Sequence, residues 1–214
     1  MGVRRGWRLF GAVVSGAAIV LAGCTSNGKP SATTSELSDR GNSIYQGVGL
    51  TPAQPRPQFT LTDTAGKPFK FGSQTAGKPT VLYFGYTNCP DVCPTTLADI
   101  ANGLRAVPAA IRAATQVVFV TTDVKRDSSA VLKAYLAKFD PGLPNRFVGL
   151  TGSQEQIDAA QVAAHVTLAA DDGQQHSAEV LLYGSDDYAR VAFLQSNDEA
   201  AQVAHDLPLV AGIK

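Results

Sequence analysis

What this sequence most plainly lacks is an excess of charge of either sign. Lysine and arginine together number 18, as do aspartate and glutamate, in 214 residues, for a net charge of zero with histidine neutral. The total therefore implies neither a basic face for nucleic acid nor an acidic block for a basic partner. Internal repeats are absent, and the length suits one domain with some tail. The apolar run at residues 9–22 is too short to span a membrane comfortably. Cysteine is scarce, at three residues. With 44% hydrophobic and 17% charged residues, what remains is ordinary globular material.

One cysteine belongs to the leader. Arg4, Arg5 and Arg8 precede the apolar run, and Leu21-Ala22-Gly23-Cys24 ends it. This is the layout of an export signal. Its end resembles the lipobox of bacterial lipoproteins, in which the cysteine is acylated and becomes the first residue of the mature protein. That resemblance implies a signal peptide at 1–23, lipidation at Cys24 and a place on the extracytoplasmic face of the cell membrane. An uncleaved anchor with an incidental cysteine is the alternative. Residues 24–57, rich in Ser, Thr, Gly and Pro, cannot bury enough surface to fold alone and read as a flexible tether. About 30 such residues would let the domain range roughly 30 Å from its anchor.

Order is expected over 58–214. Residues 59–62 and 68–71 flank turn residues 63–67 and suggest a hairpin. Residues 79–86 form an apolar run rich in Val, Tyr and Phe, the mark of a buried strand. A second buried strand is expected at 116–122, with Asp123, Arg126 and Asp127 on the loop after it. Ser128 or Ser129 can cap a helix that Pro141 and Gly142 stop. A short strand at 147–150 and a helix at 153–163 follow. Strands at 166–169, 180–183 and 190–194, separated by turns at 171–173 and 185–187, then lead to a closing helix at 197–207. This element order predicts an α/β, thioredoxin-like fold with an added N-terminal β-hairpin.

The other two cysteines lie in Thr87-Asn88-Cys89-Pro90-Asp91-Val92-Cys93-Pro94. A strand precedes them, and Leu97, Ile100, Ala101 and Leu104 follow at helical spacing. The strand thus delivers Cys89 to the mouth of a helix, whose N-terminus favours thiolate. In parallel sheets the carboxyl ends of strands are where chemistry collects. Cysteines four apart on a helical turn have Cα atoms about 6 Å apart, within disulfide range, so the pair can bind metal when reduced or close a bridge when oxidised. A purely structural disulfide is the plain alternative. Asp91 is expected to cap the helix. Asp123, Arg126 and Asp127 are either a partner-docking surface or a local ion-pair cluster. His165, entering a strand, and His205, near a helix end, read as structural.

The full CPDVCP motif, the Asp-x-x-Arg-Asp loop at 123–127 and the Gln175-His176-Ser177 element resemble the Sco (SenC) family of copper-handling proteins of cytochrome oxidase assembly. The resemblance covers about residues 57–207, and Gln175 stands where the family pattern has Asp. It implies Cys89, Cys93 and His176 as ligands to copper, Cu(I) or Cu(II). Two thiolates and an imidazole are donors that favour copper, and three ligands leave the ion open to transfer. Without the resemblance, His176 would read as a surface histidine. The implied function is a metallochaperone for the binuclear copper centre of cytochrome c oxidase. Its implied partners are the oxidase's copper-bearing subunit, a copper donor protein and a thiol reductant. A thiol-disulfide oxidoreductase using Cys89 and Cys93 as its redox pair is the second reading. A peroxiredoxin-like peroxidase fits worst, because Thr87 stands two residues before Cys89 where that site needs three.

Overall fold

The computed structural model describes residues 36–37, 44–171, 173–174, 177–196 and 198–212. All of them belong to the compact unit Thr34–Lys214; the leader and Cys24 fall in the other unit, Met1–Thr33, and lie outside the described residues.

The sheet grows from a run that has no polar side. Every residue of β5 (Thr80–Gly85) is buried, Val81 and Tyr83 under one face and Leu82 and Phe84 under the other. A strand covered on both faces cannot alternate, which is why it reads as continuous Val, Leu, Tyr and Phe. β6 (Gln116–Thr121) and then β7 (Val148–Thr151) pair beside it in parallel, and β8 (Val180–Tyr183) lies antiparallel on its other side with β9 (Tyr188–Phe193) beyond. The nucleus β6-β5-β8-β9 has the thioredoxin-like order. The expected hairpin is β3 (Thr60–Asp63) with β4 (Pro68–Lys70), and it joins the sheet through β7. Among the described residues the whole sheet runs β1-β2-β9-β8-β5-β6-β7-β3-β4, with β1 at Glu36–Leu37 and β2 at Val48–Pro55.

Helices cover both faces. α2 (Val92–Ala106), α4 (Ser129–Leu136) and α6 (Glu199–Ala211) bury Leu97, Ile100, Leu132, Leu136, Val203 and Leu207 against Val81, Tyr83 and Phe119. Each such side chain contributes about 1.5–3 kcal/mol on leaving water. α5 (Gln154–Ala163) packs Ile157 and Ala160 on the opposite face, beside Leu61, Phe69 and Phe71. The single turn α1 (Phe71–Gln74) and the short α3 (Ala109–Ala114) had no counterpart in the sequence reading. Ser128 caps α4, and Ser153 with Gln156 forms a capping box on α5.

Several expectations fail for tertiary reasons. The flexible tether is expected through residue 57, yet 48–55 form β2, with Val48 and Leu50 buried. This strand covers the outer edge of β9, whose backbone groups would otherwise be unpaired. Asp206 of α6 fixes the entry to it by accepting the N–H groups of Gln46 and Gly47, at 2.9 and 2.7 Å. The strand expected at 166–169 is a loop. Both edges of β8 are already taken, by β5 and β9. The loop backbone is satisfied instead by the buried Gln161 side chain, which donates to Thr167 O at 3.1 Å and accepts from Ala169 N at 3.4 Å. His165 accordingly sits in a turn with φ of 56°, not in a strand. The closing helix runs on to Ala211, so His205 is not in its last turn and pairs with Asp206 at 2.7 Å.

Candidate metal centre

β5 ends in Gly85 because the space beside it is used. A Cβ there would meet the Phe119 ring at 2.9 Å and Cys93 Sγ at 3.0 Å. The chain then turns through Tyr86, whose carbonyl accepts the Cys89 N–H at 3.4 Å, and enters α2 at Val92. Asp127, buried at the end of the loop after β6, holds this turn in place. Its carboxylate accepts Thr87 N at 2.9 Å and the hydroxyls of Thr87 and Thr121 at 2.5 Å each.

Asp91 occupies the N-cap position of α2 but its side chain makes no cap hydrogen bond, contrary to expectation. The acceptor is Cys89, whose Sγ takes the N–H of Cys93 at 3.3 Å. The sulfur performs the capping role because the loop places it over the helix mouth, while the Asp91 carboxylate faces solvent and only reaches Thr95 Oγ1 at 3.5 Å. Pro94, third in the helix, loses no bond, since its N–H would be unsatisfied there.

The two sulfurs differ. Both are free thiols; Cys89 is half-buried and Cys93 is fully buried. Burial raises the Cys89 pKa, but hydrogen bonds from the backbone of Cys93 and Asp91 and from the side chains of Cys93 and Tyr86 outweigh it and leave the thiol below its ordinary value. Burial pushes Cys93 up to about 12, against a hydrogen bond from Tyr83. Cys89 is thus the more readily ionised sulfur, nearer the surface, and Cys93 stays a thiol beneath it.

A cleft of about 690 Å³ opens over Cys89. Tyr86, Pro90, Asp91 and Val92 form one wall; Thr167, Leu168, Ala170, Gln174, Ser177 and Ala178 form the other. The second wall is anchored at Gly173. With φ of 88°, it lies so close to Thr122 that a Cβ would fall 1.9 Å from the Thr122 carbonyl oxygen. The Thr122 hydroxyl donates to Gly173 O at 2.6 Å, and Thr122 N donates to Gly85 O at 2.7 Å. The loop after β8's predecessor helix is thereby tied to the strand end that delivers the cysteines.

His176 and Gln175 lie outside the described residues, although Gln174 and Ser177 on either side of them line the cleft. Among the described residues no group of three His, Cys, Asp or Glu is placed to hold a metal. Two sulfurs alone suit a soft ion. Asp123, Arg126 and Asp127 form a local cluster: both carboxylates are buried, and Arg126 Nε pairs with Asp123. Sequence reasoning missed Tyr83, Tyr86, Thr122 and Gly173. For Tyr86 the signal was adjacency to the motif, and for Gly173 it was a glycine beside two aspartates; Tyr83 and Thr122 carried none.

A family model described as SCO1/SenC matches residues 49–211. A protein of Stutzerimonas stutzeri named for copper binding is 35% identical over 136 residues, 61% of this chain and 64% of its own. The chain thus spans just under two thirds of that relative's length. Bradyrhizobium japonicum ScoI with copper bound matches with a TM-score of 0.61 and 32% identity, over 73% of this chain and 99% of its own. Yeast Sco1 with copper bound matches with a TM-score of 0.64 and 30% identity, over 76% and 91%.

Proposed function

Because the chain belongs to the SCO1/SenC family, we propose that it is a copper metallochaperone, tethered to the extracytoplasmic face of the membrane through lipidated Cys24, that serves assembly of the binuclear copper centre of cytochrome c oxidase. Cys89 and Cys93 bind the ion as thiolates, and His176 completes the site from the facing loop. The observation that carries this reading is the cleft itself. It exposes a sulfur already held by the Cys93 N–H, and its opposite wall includes Gln174 and Ser177, the described residues that flank His176 in sequence. The family relatives that hold copper support the choice of ion.

The copper ion is cargo. It arrives from a donor protein at Cys89, the accessible sulfur, and engages Cys93 behind it. A site of two sulfurs and one nitrogen leaves a face open to the receiving protein. The asymmetry of the two thiols also favours a second reading, a thiol-disulfide reductase in which Cys89 attacks and Cys93 resolves.

The test is copper stoichiometry of the reduced full chain beside three variants. One copper per chain is expected, with tight binding abolished in Cys89→Ser and Cys93→Ser. His176→Ala should weaken Cu(II) more than Cu(I), since Cu(I) tolerates two sulfurs while Cu(II) wants nitrogen as well. Full copper binding by either serine variant would contradict the assignment. For the anchor, mass spectrometry of the membrane fraction should find an acylated Cys24 at the amino terminus.

A further inference from the structure

The amino end of α6 buries a carboxylate that the proposed copper site does not use. Glu199 stands in the first turn, where an acidic side chain would ordinarily lie in water beside the helix N-terminus. It is instead 1% exposed, and among the described residues neither carboxylate oxygen has a hydrogen-bond partner. Thr96 of α2 faces it with a hydroxyl that also falls outside full hydrogen-bond geometry. An ionised carboxylate held dry and unpaired is costly, whereas a carboxylic acid in the same place is far less so.

The cost cannot be relieved in place. Gly103 of α2 packs so closely on α6 that a Cβ would fall 2.6 Å from Val203 Cγ1 and 2.9 Å from the Ala200 carbonyl oxygen. With the helices this close, water reaches the carboxylate only if the first turn of α6 lifts. That turn is the least fastened part of the helix, since Asp198 at the N-cap position makes no side-chain cap hydrogen bond. Further along, Val203, Leu207 and Val210 are buried in the sheet layer, and Asp206 holds the N–H groups of Gln46 and Gly47. A lift is therefore local.

Few charges face Glu199. α2 presents Asp99, a like charge that is partly exposed. The sheet layer beneath is apolar except for Tyr83, whose hydroxyl burial holds neutral. On α6 itself, Asp198 stands at the cap, and His205 and Asp206 pair with each other further along. Among the described residues no cation acts on Glu199.

We propose that the first turn of α6 is a pH-operated latch on α2, closed while Glu199 is a carboxylic acid and released once the group ionises and gives its proton to solvent. The latch lies behind the site and does not depend on which residues hold copper. Thr96, which it covers, stands three residues after Cys93 on α2.

Burial first, and then the Asp99 charge, raise Glu199 from its ordinary 4.5 to about 7. Between those values the closed form keeps a proton that the open form has lost. Closure is thus fully favoured below 4.5, weakens by up to about tenfold per pH unit as pH rises, and levels off above about 7.

The experiment is amide hydrogen exchange of the reduced, copper-free full chain, read by NMR between about pH 5 and 8 and expressed as protection over the intrinsic rate at each pH. The reporter is Gln202, whose N–H closes the first turn on Asp198 O at 3.0 Å. Its protection should fall by about tenfold or more from pH 5 to 7 and then level, while the amides of β5 and β6 keep theirs. In Glu199→Gln, which stays neutral, the fall should vanish; the difference between the two profiles cancels what His165 and His205 contribute. Asp99→Asn removes the like charge, so its profile should level off at a lower pH, and this variant keeps the test open if Glu199→Gln does not fold. A flat parental profile, the same fall in Glu199→Gln, or an Asp99→Asn profile identical to the parent's would overturn the latch. An equal fall in every element would overturn it too, because Glu199 would then act on the whole fold and not on one turn.

Discussion

The two ends of β5 treat buried polar groups in opposite ways. Near its amino end the Arg56 guanidinium is buried and every nitrogen is engaged. Nε pairs with Asp187 Oδ1 at 2.8 Å, Nη1 donates to Thr75 Oγ1 at 2.8 Å, and Nη2 donates to the carbonyls of Lys78 and Gly184 at 2.9 and 3.0 Å. The ring of Tyr183 lies 5.0 Å from its centre. At the carboxyl end Cys89 is half-exposed under an open cleft and Cys93 is a thiol against two tyrosines. A saturated polar cluster has one arrangement and locks β2, α1 and the β8-β9 turn together. The other end keeps donors in reserve, and chemistry needs that reserve.

Breaking the saturated end should cost the most stability. Arg56→Ala takes a donor from Thr75 Oγ1 and from the Lys78 and Gly184 carbonyls, which keep their other partners, and removes the Asp187 ion pair and the ring contacts, for a loss of about 3 kcal/mol in urea unfolding. Iodoacetamide labelling of Cys89 in the folded protein should be unchanged. A loss well under 1 kcal/mol would mean the cluster is not the staple described.

At the open end, Gly173→Ala should act less on stability and more on the site. The new Cβ cannot coexist with the Thr122 carbonyl, and φ of 88° disfavours any side chain, so the loop must move at a cost of about 1–2 kcal/mol. With the proposed ligands, Cu(II) affinity should fall by more than that of Cu(I), because the wall lined by Gln174 and Ser177 moves while the sulfurs do not. Competition titrations with both ions check it; unchanged Cu(II) binding would detach the loop from the site.

Asp127→Asn should have a smaller effect still, about 1 kcal/mol, since it weakens but does not remove the acceptor for Thr87 and Thr121. Thermal unfolding measures it.

The smallest effect is the most specific. Iodoacetamide reacts with thiolate, so a pKa below the ordinary value of 9.0 shifts Cys89 labelling towards acid, and a pKa near 12 leaves Cys93 about one part in ten thousand ionised at pH 8. In the copper-free reduced chain Cys89 should label first and Cys93 stay unlabelled until the fold opens. Equal rates would remove the asymmetry.

How legible this was depended on whether a residue's role is local. The hairpin β3-β4, the strand β5 and the start of α2 after Cys89 follow from period and turn chemistry, and all three lie where expected. Residues 48–55, with Pro52 and Pro55, read as tether because their strand exists only to cover β9. Val166 and Leu168 alternate as a strand does, but both sides of β8 are taken by β5 and β9, and the Gln161 side chain claims the backbone of Thr167 and Ala169 instead. Cys89 and Cys93 were plain from their spacing. The capping role given to Asp91 went to a sulfur because the loop geometry set by Asp127, 36 residues further on, cannot be seen in the motif itself. Glu199 stands in the first turn of α6, and packing of α6 on α2, which the local sequence does not show, buries it.

The central claim is that Cys89 and Cys93 together form the copper site and that their redox state governs loading. A Cu(I) competition titration of the full chain, first reduced and then with the pair closed as a disulfide, tests it most directly. Closing the bridge removes both thiolates at once. One tightly bound copper per reduced chain and almost none on the oxidised chain is the result the account predicts; equal affinity in the two states would place the copper site elsewhere.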